Sequence, residues 1–393
     1  LDRELVRAAY IGIMLFGVIS LCGDLIYEGA RSVIPPYLQW LGAPGVIFGL
    51  AIGFGEFIGY GLRLLSGYLV DVIKGYWLFT ILGYTLLIVV PLLAFTNSWE
   101  LAIVLILIER LAKALRSPAR DTLLSHVSKS VGAGKAFGLH ELMDQIGAVG
   151  GPAIIASTLY LSGGVYSQAL LMLFIPYLLL ILALSTAYTK LRPYTSDLVS
   201  SGRFKKLSFT GLSSEFKLYS LSVLLNTAGL IHISLILFRA APEVASWLLP
   251  TIYLVVQAVD AATALIAGLA YDKFGRIVLI LPFMLSILPS ILTFSGVFNL
   301  IIIAALLFGV ILGMQESIYR AAVADISSSE FRGLAYGLFY VAYGIGYVIS
   351  GTIYGFLLDN QLNLHAIVYA FILQIFALIL LKKSIGSSMP SGE

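Results

Sequence analysis

The stretch GDLIYEGARSVIPPYL (Gly23 to Leu38) sets Asp24, Glu28 and Arg31 inside an otherwise apolar run. At i, i+4 and i+7 the three share one stripe of an α-helix, within about 60° of each other. A second run repeats the pattern, with Glu109, Lys113, Arg116 and Arg120 at i, i+4, i+7 and i+11. Arg110 stands about 100° around the helix from Glu109. Glu56, with Arg63 two turns on, and the group His140, Glu141 and Asp144 complete the charges of the first half. Acids beside cations in apolar surroundings suit two tasks: taking up and releasing a proton, and holding a charged solute. They also suit static pairs, Glu28 with Arg31 and Glu109 with Lys113, that do no more than fix the fold.

The elements that position these groups follow from composition. Of 393 residues, 59% are hydrophobic and 11% charged, whereas a soluble domain has about 25% charged residues. One aqueous core cannot hide so much apolar surface, so a lipid bilayer is the expected solvent. An ionisable group at a membrane helix centre costs about 2.5–3.5 kcal/mol on insertion scales, so each needs a partner or a wet cavity. A spanning helix needs about 20 mostly apolar residues. Twelve such runs are expected, over 8–34, 44–70, 76–95, 99–124, 135–160, 166–189, 215–238, 243–270, 276–295, 298–324, 331–357 and 364–382. The fold class is thus an all-α membrane protein, with two pseudo-symmetric six-helix bundles over 1–189 and 215–393 and a polar linker over 190–214. The N-terminus, LDRELVRAAY, has no cleavable signal pattern, and the first apolar run reads as a retained membrane helix.

Orientation follows from the basic residues. Arg3, Arg7, Lys74, Lys129, Lys135, the 190–217 segment, Lys273, Arg276, Arg332, Lys382 and Lys383 fall on one side, and Arg239 alone on the other. The positive-inside rule then puts the linker and both termini in the cytoplasm, with the plasma membrane the expected location. Trp40, Trp77, Trp99 and Trp247 fall near expected helix ends, as interfacial belts require. The halves also resemble each other. SGYLVDVIKGY (Ser66 to Tyr76) parallels AGLAYDKFGRI (Ala267 to Ile277), and GKAFGLHELMDQIGAVGGP parallels FRGLAYGLFYVAYGIGYVISG, each at an offset of about 200 residues. Repeats of this kind place a site at their interface near the bilayer midplane.

Gly268, Asp272, Gly275 and Arg276 fit G-x-x-x-D-x-x-G-R, and on this motif the chain resembles the major facilitator superfamily of secondary transporters. The first-half copy, Gly67, Asp71, Lys74 and Gly75, departs from it: one residue more precedes the glycine and no arginine follows. The resemblance implies that these loops, with Asp121 and Asp325 at helix ends nearby, latch a cytoplasmic gate, to which Arg116 and Arg120 are also assigned. Gly138, Gly147, Gly151 and Pro152 match the superfamily's fifth-helix antiporter motif, although Ile155 and Ala156 stand where its final glycine pair belongs. Arg110 resembles the fourth-helix arginine tied to proton coupling, with Ala114 replacing the motif glycine. In the superfamily, helices 1 and 4 line the central cavity. The site residues implied for proton coupling or the cavity are Asp24, Glu28, Arg31, Glu56, Glu109, Arg110, Lys113 and Asp144.

The expected function is movement of a small organic solute by alternating access, as proton-coupled export. Uptake by proton symport or facilitated diffusion of an anionic or metal-chelate solute is the alternative. The expected partners are the solute, protons and lipid, the chain acting as a monomer. Neither a cofactor nor a bound metal is expected, since the four histidines are scattered and Cys22 is the one cysteine. A net charge of +3 with no dense basic run gives no reason to expect nucleic acid. An enzyme is disfavoured: no G-x-S-x-G, H-E-x-x-H or phosphate-cradling G-x-x-x-x-G-K-[ST] occurs. The second half offers fewer charges, His232, Asp260, Glu316, Arg320 and Asp325. It carries instead a tyrosine stripe, Tyr336, Tyr340, Tyr343, Tyr347 and Tyr354, expected to pack helices.

Overall fold

The computed structural model describes residues 3–128, 133–195, 212–328 and 332–386. Most of the 190–214 linker, and the side chains of Arg3, Lys129 and Lys135, lie outside the described residues. The described residues form eleven helical stretches. These are α1 (Arg3–Trp40), α2 (Gly45–Ile73), α3 (Tyr76–Phe95), α4 (Trp99–Val127), α5 (Ala133–Leu161) and α6 (Tyr166–Thr195), then α7 (Ser214–Glu243), α8 (Leu248–Thr293), α9 (Phe298–Ile326), α10 (Arg332–Asp359) and α11 (Asn363–Gly386). Nine of them are long and apolar enough to cross a membrane. The other two are α4, interrupted by Glu109, Arg110, Lys113 and Arg116, and α5, whose apolar run is diluted by glycine and polar residues.

Two boundaries differ from the sequence expectation for local reasons. The expected first helix stops at 34, before Pro35 and Pro36, but α1 carries both prolines inside it and runs on to Trp40. The expected runs 243–270 and 276–295 are one helical stretch, α8, in which Gly275 takes φ +68° and opens a 3-10 turn over Gly275–Leu279. A left-handed residue ends the α-helical bonding of Leu248–Phe274, and the 3-10 turn leads into a new α-helical segment at Ile280. In the first half Lys74 takes φ 55° directly after α2. Gly67, Asp71 and Lys74 therefore stand in the same register as Gly268, Asp272 and Gly275. The left-handed position is kept, with lysine tolerated where the second half has glycine, at a cost of about 1–2 kcal/mol. All four tryptophans lie at helix ends: Trp40 closes α1, Trp77 is second in α3, Trp99 opens α4, and Trp247 precedes α8.

Helix packing divides the chain into two compact units. The first comprises the described residues of Leu1–Val33, Leu62–Lys205 and Ser246–Leu254. Here α5 approaches α1 backbone to backbone. A Cβ on Gly147 would lie 2.6 Å from the Leu21 carbonyl oxygen and 2.7 Å from the Asp24 Cβ, and one on Gly151 would lie 2.5 Å from the Leu25 carbonyl oxygen. Ser66 Oγ donates to the Ala114 carbonyl at 2.6 Å, joining the end of α2 to α4, and Tyr177 Oη donates to the Thr85 carbonyl at 3.0 Å, joining α6 to α3.

The second unit comprises the described residues of Ile34–Gly61, Lys206–Ala245 and Val255–Glu393. The start of α2 packs on α10 through glycines, and the Asp359 carboxylate accepts from the Gly45 and Val46 amides at 2.7 and 2.8 Å, capping α2. A Cβ on Gly351 would lie 2.0 Å from the Gly49 carbonyl oxygen. Gly351→Ala is therefore expected to lower stability by about 1–3 kcal/mol, the usual range for overpacking. Gly138→Ala, with nothing within 4 Å, serves as the comparison. In a thermal melt the second should be neutral or stabilising by up to about 1 kcal/mol, as helical Gly→Ala usually is.

The same unit holds a buried amide network. Asn226 Oδ1 accepts from Tyr319 Oη at 2.8 Å and Gln315 Nε2 at 3.2 Å, while its Nδ2 donates to Gln374 Oε1 at 2.8 Å. Tyr343 and Tyr347 donate to Gln315 Oε1 at 3.0 and 3.3 Å. Gln315–Tyr319 is a π-helical turn within α9, and α7 breaks around Leu230 and Ile231. Groups freed at the break are met by side chains: Tyr354 Oη donates to the Gly229 carbonyl at 2.7 Å, Ser350 Oγ to the Leu230 carbonyl at 2.5 Å, and the Ile231 amide to Ser290 Oγ at 3.3 Å. The tyrosine stripe of α10 thus packs helices and closes hydrogen bonds, with Tyr60 of α2 stacked on Tyr340 at 5.6 Å.

Candidate functional site

In the first unit the predicted stripes of α1 and α4 meet around one ring that carries no charge. Tyr27, buried, has the Lys113 ammonium 4.6 Å from its centroid and the guanidinium carbons of Arg116 and Arg31 at 5.3 and 5.4 Å. A ring face attracts cations electrostatically, the more so away from water. Arg116 also lies 5.1 Å from the Tyr84 ring centroid, on α3. Its place near the expected cytoplasmic end of α4 assigns Arg116 mainly to the gate, and the structure joins it to this cluster.

Glu28 is engaged through both oxygens. Arg31 Nη1 donates to Oε1 at 2.7 Å, and Tyr253 Oη, from the start of α8, donates to Oε2 at 2.6 Å. The expected intrahelical pair exists, and it has a third member that the sequence did not suggest. Glu109 is 5% exposed, with Arg110 Nε 3.5 Å from its Oε2. Lys113 turns its ammonium to Tyr27, so the expected Glu109–Lys113 pair gives way to Glu109–Arg110 in the ion pairs of the described residues.

Asp24 faces α5. Gly147 packs against its Cβ, and Asp144, three residues before Gly147, lies on that same helical face. Asp144 Oδ1 is 3.3 Å from Nδ1 of His140, one turn earlier. Beside them on α1, Ser20 Oγ accepts from Arg120 Nη1 at 3.2 Å, and Arg120 also pairs with Asp121 at 2.8 Å. A polar ladder therefore climbs α1 through Ser20, Asp24, Tyr27, Glu28 and Arg31. Two of the antiporter-motif glycines, Gly147 and Gly151, set the α1–α5 approach beside it; Pro152 lies inside α5, and Gly138 makes no close contact.

Glu56 is also expected among the cavity charges. It belongs to the second unit, where its Oε1 is 4.0 Å from His232 Nε2 next to the break in α7, and the His232 ring stands edge-on to Tyr347 at 5.2 Å. At the positions expected to form a gate, Asp71 and Asp272 are both exposed, and Asp71 accepts from Tyr76 Oη at 3.0 Å. Gly67 lies against Pro118, and Gly268 against Ser317. In the second unit Arg276 pairs with Glu215 and donates to the Asp325 carbonyl at 3.1 Å, while Tyr271 Oη donates to the Asp325 carboxylate at 2.8 Å. Sequence reasoning missed Tyr27, Tyr84, Tyr253 and the Asn226–Gln315–Gln374 network. Two signals were there to use: Tyr27 shares the α1 stripe, and Asn226, Gln315 and Gln374 are lone amides in apolar runs.

Residues 218–384 match the Major Facilitator Superfamily model. Uncharacterized protein Rv2265 of Mycobacterium tuberculosis is 36% identical over 380 residues, covering 95% of this chain and 93% of that protein. The uncharacterized MFS-type transporter MJ1317 of Methanocaldococcus jannaschii is 27% identical over 368 residues, covering 91% and 89%. Among solved structures, the nucleoside transporter NupG has a TM-score of 0.72 at 15% identity, covering 96% of this chain and 100% of that one. A POT family transporter bound to a thioalcohol-conjugated peptide has a TM-score of 0.73 at 13% identity, covering 96% and 97%. The structural likenesses speak to the fold. The matched segment is a Major Facilitator Superfamily domain in the second half of the chain, and with the MFS-type relative and the nine apolar spans it indicates an integral, multi-pass membrane transporter of that type and not an enzyme.

Proposed function

We propose that the protein is a proton-coupled exporter working by alternating access. In this reading Asp24 and Asp144 are the proton carriers, and the α1–α4 face around Tyr27 holds the solute. The carrying observation is the placement of Asp24, 5% exposed, against the Gly147 face of α5 that also bears Asp144 and His140. Two carboxylates facing one low-dielectric gap repel when both are charged. A proton on either relieves the repulsion, and the imidazole offers an exchange partner. Glu28, with both oxygens engaged, is better suited to holding α1 against α8 than to carrying a proton.

The wider reading keeps twelve spanning helices, α8 counting as two on either side of Gly275, in two six-helix bundles with a cytoplasmic linker and cytoplasmic termini. It places the monomer in the plasma membrane, with the Asp71 and Asp272 loops at the cytoplasmic gate. Export is favoured by the Gly147 and Gly151 approach to α1, which ties the antiporter motif to the proposed proton site. The test uses everted vesicles with an acidic lumen, and a solute drawn from a thermal-shift screen of amino acids, dipeptides, nucleosides and organic anions. The vesicles should accumulate that solute until an uncoupler collapses the gradient. Equilibration indifferent to the gradient would overturn proton coupling. Accumulation under the opposite gradient would overturn export.

A further inference from the structure

Two charged side chains on α4 end in atoms with nothing to bind. Glu109 Oε1 is buried and has no hydrogen-bond partner. Arg116, 2% exposed, has an Nη1 in the same condition, although its guanidinium plane rests between the rings of Tyr27 and Tyr84. Seven residues separate them, so they share one face of α4 about 10 Å apart along the axis. Lys113 lies between, its ammonium on Tyr27. A buried polar atom without a hydrogen bond is costly, and here one acceptor and one donor on the same helix face are in that state, Glu109 keeping Arg110 at its other oxygen.

An anion would satisfy Arg116 Nη1 and leave Glu109 Oε1 without a hydrogen bond; a simple amine would do the reverse. A dipolar solute meets both. We infer that the transported solute is zwitterionic: its carboxylate or other oxyanion lies at Arg116 and Lys113, and its ammonium at Glu109. The inference rests on the α1–α4 face being the transport site. It does not rest on the proton reading, which uses Asp24 and Asp144 on the α1–α5 face. The reach of the two long side chains across that axial gap suits charges separated as in an ω-amino acid or a dipeptide.

The test is ligand-induced thermal stabilisation of the purified full chain at fixed pH, with probes on matched skeletons. The zwitterions are γ-aminobutyrate, ε-aminohexanoate and glycylglycine. The anions are butyrate, hexanoate and N-acetylglycine, and the amines are butylamine, hexylamine and glycinamide. At least one zwitterion should stabilise the protein while its matched anion and amine do not. Glu109→Gln and Arg116→Gln should each weaken that binding by about tenfold or more, as loss of one partner of a buried charge pair does. Glu109→Asp should keep the selectivity, and the comparison of probes on the unmodified protein decides the matter should a variant fail to fold. Anions binding as well as zwitterions, or no zwitterion binding at all, would overturn the inference. Because binding is read without a gradient, zwitterion selectivity with gradient-indifferent transport would sink the proton reading alone. Proton-driven transport of a simple anion would sink this inference alone.

Discussion

Asp24→Asn is expected to abolish gradient-driven accumulation of the solute while leaving solute exchange intact. The substitution is close to isosteric, and an amide still donates and accepts hydrogen bonds, so the Gly147 contact and the α1–α5 approach should persist. What the amide cannot do is carry a proton through the cycle. One-for-one exchange against one pH unit sustains about tenfold accumulation, or about 1.4 kcal/mol, and that ratio should fall to equilibration. Exchange of labelled for unlabelled solute moves no net proton and should continue. Thermal stability should stay within about 1 kcal/mol of the parent, since no large group is removed and no charge is orphaned. Paired measurement of melting and of transport, with and without a gradient, reads all three quantities. Full gradient-driven accumulation by Asp24→Asn would remove it as proton site and leave Asp144 or Glu109 to be tried.

Arg31→Ala should be the most damaging single change to the fold of the first unit. It leaves Glu28, with a side chain 6% exposed, facing an apolar surround without its cation. Breaking a buried ion pair by removing one partner costs about 3–5 kcal/mol. The lower end is expected here, because the Tyr253 hydroxyl still donates to Glu28 and the Arg31 side chain is itself 19% exposed. Adding Glu28→Gln to Arg31→Ala should restore most of the loss, because the uncompensated charge is then gone. A double-mutant cycle by thermal unfolding in detergent measures the coupling. If the double variant is as unstable as Arg31→Ala, the pair is not what holds this part of α1, and the cause lies in the contact of the Arg31 guanidinium with the Tyr27 ring.

The two charge stripes were legible because they are periodic. Helix geometry is local, so a residue four or seven places on lies on the same face whatever the remainder of the chain does. For the same reason the α1 and α4 charges could be singled out in advance, whereas the α5 glycines were marked by their resemblance to the fifth-helix motif. The course of individual rods was harder to read. The first helix was expected to end at 34 and two helices were expected over 243–270 and 276–295, yet α1 continues through Pro35 and Pro36 to Trp40 and helical structure runs through Gly275. Such outcomes depend on what packs around the irregular backbone, as the hydroxyls around the α7 break illustrate.

By itself the sequence determined the solvent, the helical class, the position of charge on each helix face and the motif that points to the superfamily. Each of these depends on composition or on spacing within one element. Tertiary structure decided the partners. It drew Arg116 onto Tyr27 and Tyr84 and gave Glu109 to Arg110 rather than Lys113. It also joined Glu28 to Tyr253 across a sequence separation of 225 residues. A hydroxyl at such a distance carries no periodic signal, and its role exists because two helices meet at that level. Which charges are satisfied and which remain available to a solute is therefore a property of packing, since in a low-dielectric interior a charge is costly or useful according to what lies within a few ångströms of it.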